Sequence, residues 1–230
     1  METKFSTRVW VSVVGIASIF LGSKGYADTV ISVADFGLKP DTRENAVAYV
    51  QKAIEACRGK EPVTLVFPEG RYDFWPQYAH EKNYYETNTY DVFPKRLAML
   101  FEGLHNITVD GSGSQFIMHD RIQPITVENC DGVTLKNFSI DWDIPLTAQA
   151  RVTKVGSDFF EIEINVLESP YIIEDGKLVF VGEGWKSALG SMIEFESDTH
   201  FVVPGTGDLV LGWNWGDYTA VSPRYGIVRL

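Results

Sequence analysis

Asp141 and Asp143 stand on either side of Trp142. In an extended segment side chains alternate, so Ile140 and Trp142 turn to one face and both aspartates to the other. Two residues along a strand span about 6.6–6.8 Å. That is close to the separation of about 6.5–9.5 Å at which one carboxyl protonates a leaving oxygen while another activates water. Any Asp-x-Asp on any strand meets the same spacing, so the pair suits a pocket wall or a solvated turn equally well. The run Tyr84-Tyr85-Glu86-Thr87-Asn88-Thr89-Tyr90-Asp91 mixes aromatic faces with amide and carboxylate groups. That mixture holds a polyhydroxylated ligand, and Asn88 and Asp91 are its best candidates; the plainer reading is a loop packed over a sheet edge. Trp213-Asn214-Trp215 offers a stacking platform or simply core aromatics.

The elements around these residues follow a distinct order. Ile31-Ser32-Val33 reads as a short strand and Asp35-Phe36-Gly37 as a turn. Asp41 and Glu44 form a capping-box-like start to a helix in which Ala46, Val47, Val50, Ile54 and Cys57 make one apolar stripe. Val63 to Phe67 is a β-branched, apolar strand stopped by Pro68-Glu69-Gly70, and Tyr72 and Phe74 alternate beyond it.

From Leu104 onward short strands follow one another: 107–109, 116–118, 125–127, 133–135 and 138–140. Asp110-Gly111-Ser112-Gly113 lacks the spacing of a phosphate loop and reads as a turn. Asn106-Ile107-Thr108-Val109 aligns with Gly132-Val133-Thr134-Leu135 at an offset of 26 residues, with two further strands between. Three strands per repeat, all short, predict a solenoid whose circuits stack their inward residues; an antiparallel sandwich is the competing arrangement.

Beyond Ile144 the pattern changes. Strands 150–155 and 159–164 flank Gly156-Ser157-Asp158, predicting a hairpin whose Phe160, Ile162 and Ile164 face inward. Further short strands at 177–181, 192–195 and 201–203 complete a small antiparallel module. The expected organisation is a leader over 1–27, a cap and first circuits over 28–143, and an inserted antiparallel module over 144–230.

The leader is expected from Lys4 and Arg8, the apolar run Val11 to Leu21, and small residues at Gly25 and Ala27. The run falls short of the roughly twenty residues of a membrane span, so export to the periplasm or the exterior is expected, with no membrane insertion after cleavage. The whole chain carries a net charge of −11; removing a leader with three basic residues and one acidic residue leaves about −13. Such acidity argues against nucleic-acid partners. Cys57 and Cys130 are expected as free thiols, and no Cys/His spacing predicts a metal site.

Two sets of segments resemble known proteins. Val33 to Gly37, the helix with Ala53-Ile54-Glu55-Ala56, and Val66 to Tyr72 resemble the opening of pectate-lyase-like β-helix proteins. His80-Glu81-Lys82, Asn88 to Asp91, Asn106 to Gly113 and Ile140 to Asp143 resemble glycoside hydrolase family 110. The resemblance implies an all-β fold, a right-handed parallel β-helix with an amino-terminal capping helix and an inserted barrel-like module. It implies hydrolysis of terminal α-linked galactose with inversion, no cofactor, and a galactose-terminated glycan as partner. The family's paired aspartates lie on later circuits, so catalytic residues are expected beyond Leu230. Asn88, Asp91, Asp141 and Asp143 stay candidates for substrate binding only. The chain alone is expected to be inactive and prone to association. A calcium-dependent lyase acting on a uronate polymer and a non-catalytic carbohydrate-binding β-helix are the alternative readings.

Overall fold

The computed structural model describes residues 29–84, 94–206, 208–210 and 217–230. The expected leader, Asn88, Asp91 and the tryptophans of 213–215 lie outside the described residues.

The amino-terminal part opens with β1 (Thr29–Ser32) and a 3₁₀ turn over Val33–Phe36. Ser32 and Asp35 cap that turn reciprocally, and Gly37 closes it in the left-handed conformation. Helix α1 (Val47–Cys57) follows. Its stripe of Val47, Val50, Ala53, Ile54 and Cys57 is buried as the periodicity predicts. Its start differs. The Asn45 side chain accepts from the Val47 amide at 3.1 Å, while Asp41 accepts instead from the amide of Arg71 at 2.9 Å. A carboxylate bonded across to another strand is not free to cap, and the helix begins several residues later.

Strands β2 (Val63–Val66), β3 (Arg71–Phe74), β4 (His80–Lys82), β5 (Lys95–Glu102), β6 (His105–Met118), β7 (Gln123–Glu128) and β8 (Asp131–Trp142) complete this part. The pairing is parallel from β1 to β2, β2 and β3 to β6, β6 to β8, and β5 to β7; among the described strands of this part only β4 runs antiparallel, against β5. Successive turns of chain therefore lie over one another, and no hairpin links β6 to β8. The 26-residue repeat is visible directly: Ile107 pairs Val133, Val109 pairs Leu135 and Met99 pairs Ile125. Past the corner the offset shortens to 24, with Phe116 opposite Ile140.

The corners explain the shift. In β6 the corner is Gly111-Ser112-Gly113, with Ser112 and Gly113 at positive φ; in β8 it is Asn137 alone, at φ 60°. Asp110 ties the two together, accepting from the Ser112 amide at 2.9 Å and the Asn137 side-chain amide at 3.0 Å. Gly111 is there for closeness: a Cβ would lie 2.5 Å from the Cβ of Phe138.

One core fills the stack. Ile31, Val63, Leu65, Phe101, Ile107, Val109 and Phe116 are buried against the helix stripe and each other. Aromatic rings form its centre: Phe116 lies 4.7 Å from both Phe67 and Phe138, and 5.6 Å from Phe74, centroid to centroid. At the far end the apolar residues are open. Val127, Leu135 and Ile140 are 46 %, 41 % and 38 % exposed, though their partners Phe101, Val109 and Phe116 are buried.

The described strands of the carboxyl-terminal part all pair antiparallel. Its strands are β9 (Ala150–Val155), β10 (Phe160–Ile164), β11 (Tyr171–Glu174), β12 (Lys177–Gly182), β13 (Trp185–Ala188), β14 (Ser191–Ile193), β15 (Asp208–Val210), β16 (Val221–Arg224) and β17 (Ile227–Arg229). The predicted hairpin is β9–β10, and β17 then β16 add to its other side. A second core of Ile162, Ile164, Leu178, Ala220, Val228 and Leu230 is separate from the first. Both cysteines are free thiols. The molecule is mostly β, with a single α-helix among the described residues.

Candidate functional site

A cluster of charged groups sits where the two parts meet. On β3, Tyr72 and Phe74 point into the core, which turns Asp73 to the opposite face. That face is not wet. Asp73 is buried beneath Arg71, which donates from Nε at 3.0 Å to both carboxylate oxygens and from Nη2 at 2.5 Å to one. His119 follows Met118 at the end of β6 and is itself buried. Its Nε2 lies 2.8 Å from Asp73 Oδ1, and its Nδ1 lies 2.7 Å from Oε2 of Glu183. Ionised carboxylates only accept, so both contacts are hydrogen bonds together when both ring nitrogens carry hydrogens.

Glu183 comes from the other part, at the turn between β12 and β13. Gly184 in that turn approaches so closely that a Cβ would lie 2.5 Å from Asp120 Oδ2. Arg121 lies over the Trp185 ring at 5.9 Å. The hairpin tip is thus seated on the corner His119-Asp120-Arg121, and Trp142 adds a hydrogen bond from its indole to the Asp120 carbonyl at 3.2 Å.

Asp143 joins the cluster through Arg71, whose Nη2 donates to it at 2.7 Å. Asp141 does not: its carboxylate accepts from the neighbouring Trp142 amide at 2.8 Å, and the residue is exposed. Burial would raise the Asp73 carboxyl, but the hydrogen bonds from Arg71 and His119 outweigh it and hold the group below the usual carboxylate range. Arg71 is driven upward in return, chiefly by its bond to Asp73. Asp73 therefore stays ionised and is unsuited to giving up a proton.

His119, Asp143 and Glu183 each place a ligand-type atom within 4.8 Å of the others. A cation held there would face the Arg71 guanidinium, and each of the three already bonds a protein partner. Three carboxylates share one guanidinium and one imidazole, so every charged group in the cluster has a partner although the carboxylates outnumber the cations. What the cluster does mechanically is lock two parts of the chain together.

Beside the cluster opens a shallow cavity of about 480 Å³, lined by Trp75, Tyr78, Glu81, Arg96 and Asp120 among others. Trp75 lies flat on His119 and links the two features. Of the segment Tyr84 to Asp91, only Tyr84 is described; its hydroxyl donates to Glu128, which Lys82 also holds at 2.9 Å. His80 lies exposed on β4. Sequence reasoning singled out neither Asp73, His119 and Glu183 nor, apart from Glu81 within a segment of family resemblance, the cavity residues. The one legible signal was an aspartate between two core aromatics.

Fold and joint together define a mostly β chain in which a part with parallel strand pairing is tied to an antiparallel module. Residues 148–230 match the family described as GLAA-B beta-barrel domain I. The chain is 58% identical over 204 residues to a protein named alpha-1,3-galactosidase B from Bacteroides thetaiotaomicron, covering 89% of this chain and 33% of that protein. It is 37% identical over 205 residues to an alpha-1,3-galactosidase B from Phocaeicola vulgatus, covering 87% and 32%. With an alpha-1,3-galactosidase A from Shewanella woodyi it shares 35% over 169 residues, covering 73% and 28%. The chain spans about a third of the length of the curated relatives it matches. The resemblance to glycoside hydrolase family 110 is thereby shown, the chain corresponding to a portion of such proteins.

Proposed function

We propose that the chain forms part of an exported glycosidase that releases terminal α-1,3-linked galactose with inversion. Its parallel strands wind as a right-handed β-helix over 28–143, and residues 144–230 are a barrel module set into it. The observation that carries this reading is the 58% identity to a protein named alpha-1,3-galactosidase B. The parallel register of β2, β6 and β8 supports the solenoid, and the barrel match supports the module. Within this reading Asp143 serves the Arg71–Asp73–His119 joint, and catalysis falls to carboxyls outside these 230 residues.

The test joins this chain to the remaining two thirds of the Bacteroides relative and presents an α-1,3-linked digalactoside. Galactose should appear first as the β-anomer in time-resolved proton NMR, while the 230-residue chain alone gives no turnover. Release of the α-anomer first overturns inversion. Calcium-dependent formation of unsaturated uronates from a pectic polymer, with no galactose released, overturns the glycosidase reading.

A further inference from the structure

The loop Trp75-Pro76-Gln77-Tyr78-Ala79 is held more firmly than its position demands. Asn45 donates to the carbonyl of Gln77 at 2.8 Å, Gln51 donates to the carbonyl of Tyr78 at 2.8 Å, and the Ala79 amide donates to the carbonyl of Pro76 at 3.1 Å. Tyr78 is fixed at φ 68°, a conformation that an aromatic L-residue adopts only under constraint, and its residue is 65 % exposed. Trp75 is fixed as well, by stacking on a histidine bonded at both nitrogens. The turn thus holds two aromatic side chains in place, one of them out in water.

Both aromatics line the 480 Å³ cavity, a size within the ordinary range for small-molecule sites. The same cavity is lined by Glu81 and Arg96, paired at 3.4 Å, and by Asp120, itself at positive φ and braced by the Arg121 amide at 2.7 Å. Aromatic faces accept the C–H face of a pyranose ring, while a carboxylate and a guanidinium bridge adjacent hydroxyls. Two carboxylates against one guanidinium favour a neutral ligand over an acidic one.

We infer that the Trp75–Tyr78 loop, with Glu81, Arg96 and Asp120, binds one neutral hexose ring of a glycan. That the ring is a galactosyl unit rests on the function proposed above; that the site takes a hexose does not.

The 230-residue chain is titrated with α-1,3-linked digalactoside and, separately, with maltose, following binding by saturation-transfer NMR. Variants are Tyr78→Ala, Tyr78→Gly and, as a control on the other part, Tyr225→Ala. Digalactoside binding should weaken about tenfold in both Tyr78 variants and stay unchanged in the control. Tyr78→Gly should also melt higher than the parent, because glycine relieves the positive φ. A loss of binding accompanied by a gain in stability excludes a merely structural role for Tyr78. Unchanged affinity in the Tyr78 variants, or binding of neither sugar, overturns the site and leaves the galactosidase reading standing. Tyr78-dependent binding of maltose in preference to digalactoside supports the hexose site and overturns its galactose assignment.

Discussion

The indole of Trp75 lies flat on the imidazole of His119, ring centroids 3.8 Å apart and planes 8° from parallel. His119 cannot turn, because each ring nitrogen faces a carboxylate, Asp73 on one side and Glu183 on the other. Trp75 inherits that rigidity. The residue that joins the two parts of the chain thereby also sets one wall of the neighbouring cavity.

Replacing His119 by alanine removes a bond to a buried carboxylate and the support for Trp75. The expected cost is about 2–4 kcal/mol in urea unfolding, accompanied by a change in near-ultraviolet circular dichroism as the indole is released. Glu183→Gln keeps the stack and should cost less. Equal losses from the two variants would mean that the joint to the barrel, and not the buried Asp73 bond, dominates.

Asp73 gives stability an acid limb. Its folded carboxyl titrates below the ordinary value near 3.9, so its contribution is complete above that pH and fades as pH falls through the folded value. The stability difference between the parent and Asp73→Asn should shrink as pH falls below about 4. Urea midpoints at each pH measure it. A difference that stayed constant to pH 3 would show that Arg71 and His119 do not favour the ionised form.

Phe116 contacts Phe67, Tyr72, Phe74 and Phe138 at the centre of the stack. Truncation to alanine should cost about 3–5 kcal/mol, the range for a buried aromatic whose neighbours cannot collapse inward. Chemical denaturation gives the value directly.

At Gly111 the obstacle is a neighbouring circuit, since a methyl group would meet Phe138 and the carbonyl of Asn137. Gly111→Ala is expected to destabilise by about 1–3 kcal/mol. A neutral outcome would mean that β6 and β8 are not held at the described spacing.

The two thiols should separate cleanly by reactivity. Burial pushes Cys57 up to about 11 and closes it to reagents, whereas Cys130 is only partly covered. Alkylation of the native chain followed by mass mapping should label Cys130 first and Cys57 only after unfolding.

Much of the architecture was legible because it is periodic. The helix stripe from Val47 to Cys57, the hairpin at Gly156 to Asp158, and the match of Ile107 to Val133 all depend on local repetition, and each appears in the fold. The Asp41 cap failed because its carboxylate is claimed by Arg71, a partner 30 residues away that no local pattern reveals. The charged joint was hidden for the same reason: Asp73, His119 and Glu183 come from three distant segments, and only tertiary contact makes them a group. Asp141 and Asp143 looked equivalent along a strand, yet Arg71 reaches only the second.

The unequal corners of β6 and β8 act as slack in an otherwise rigid ladder. Three residues turn one corner and a single asparagine turns the other, while the pairings on both sides stay intact. Two circuits of the same chain therefore differ in length at that bend while both flanks keep their pairing. Within Ile107 to Asp110 one added residue would swap every inward valine or isoleucine for an outward threonine or aspartate, so that side must keep its count while the bend drifts.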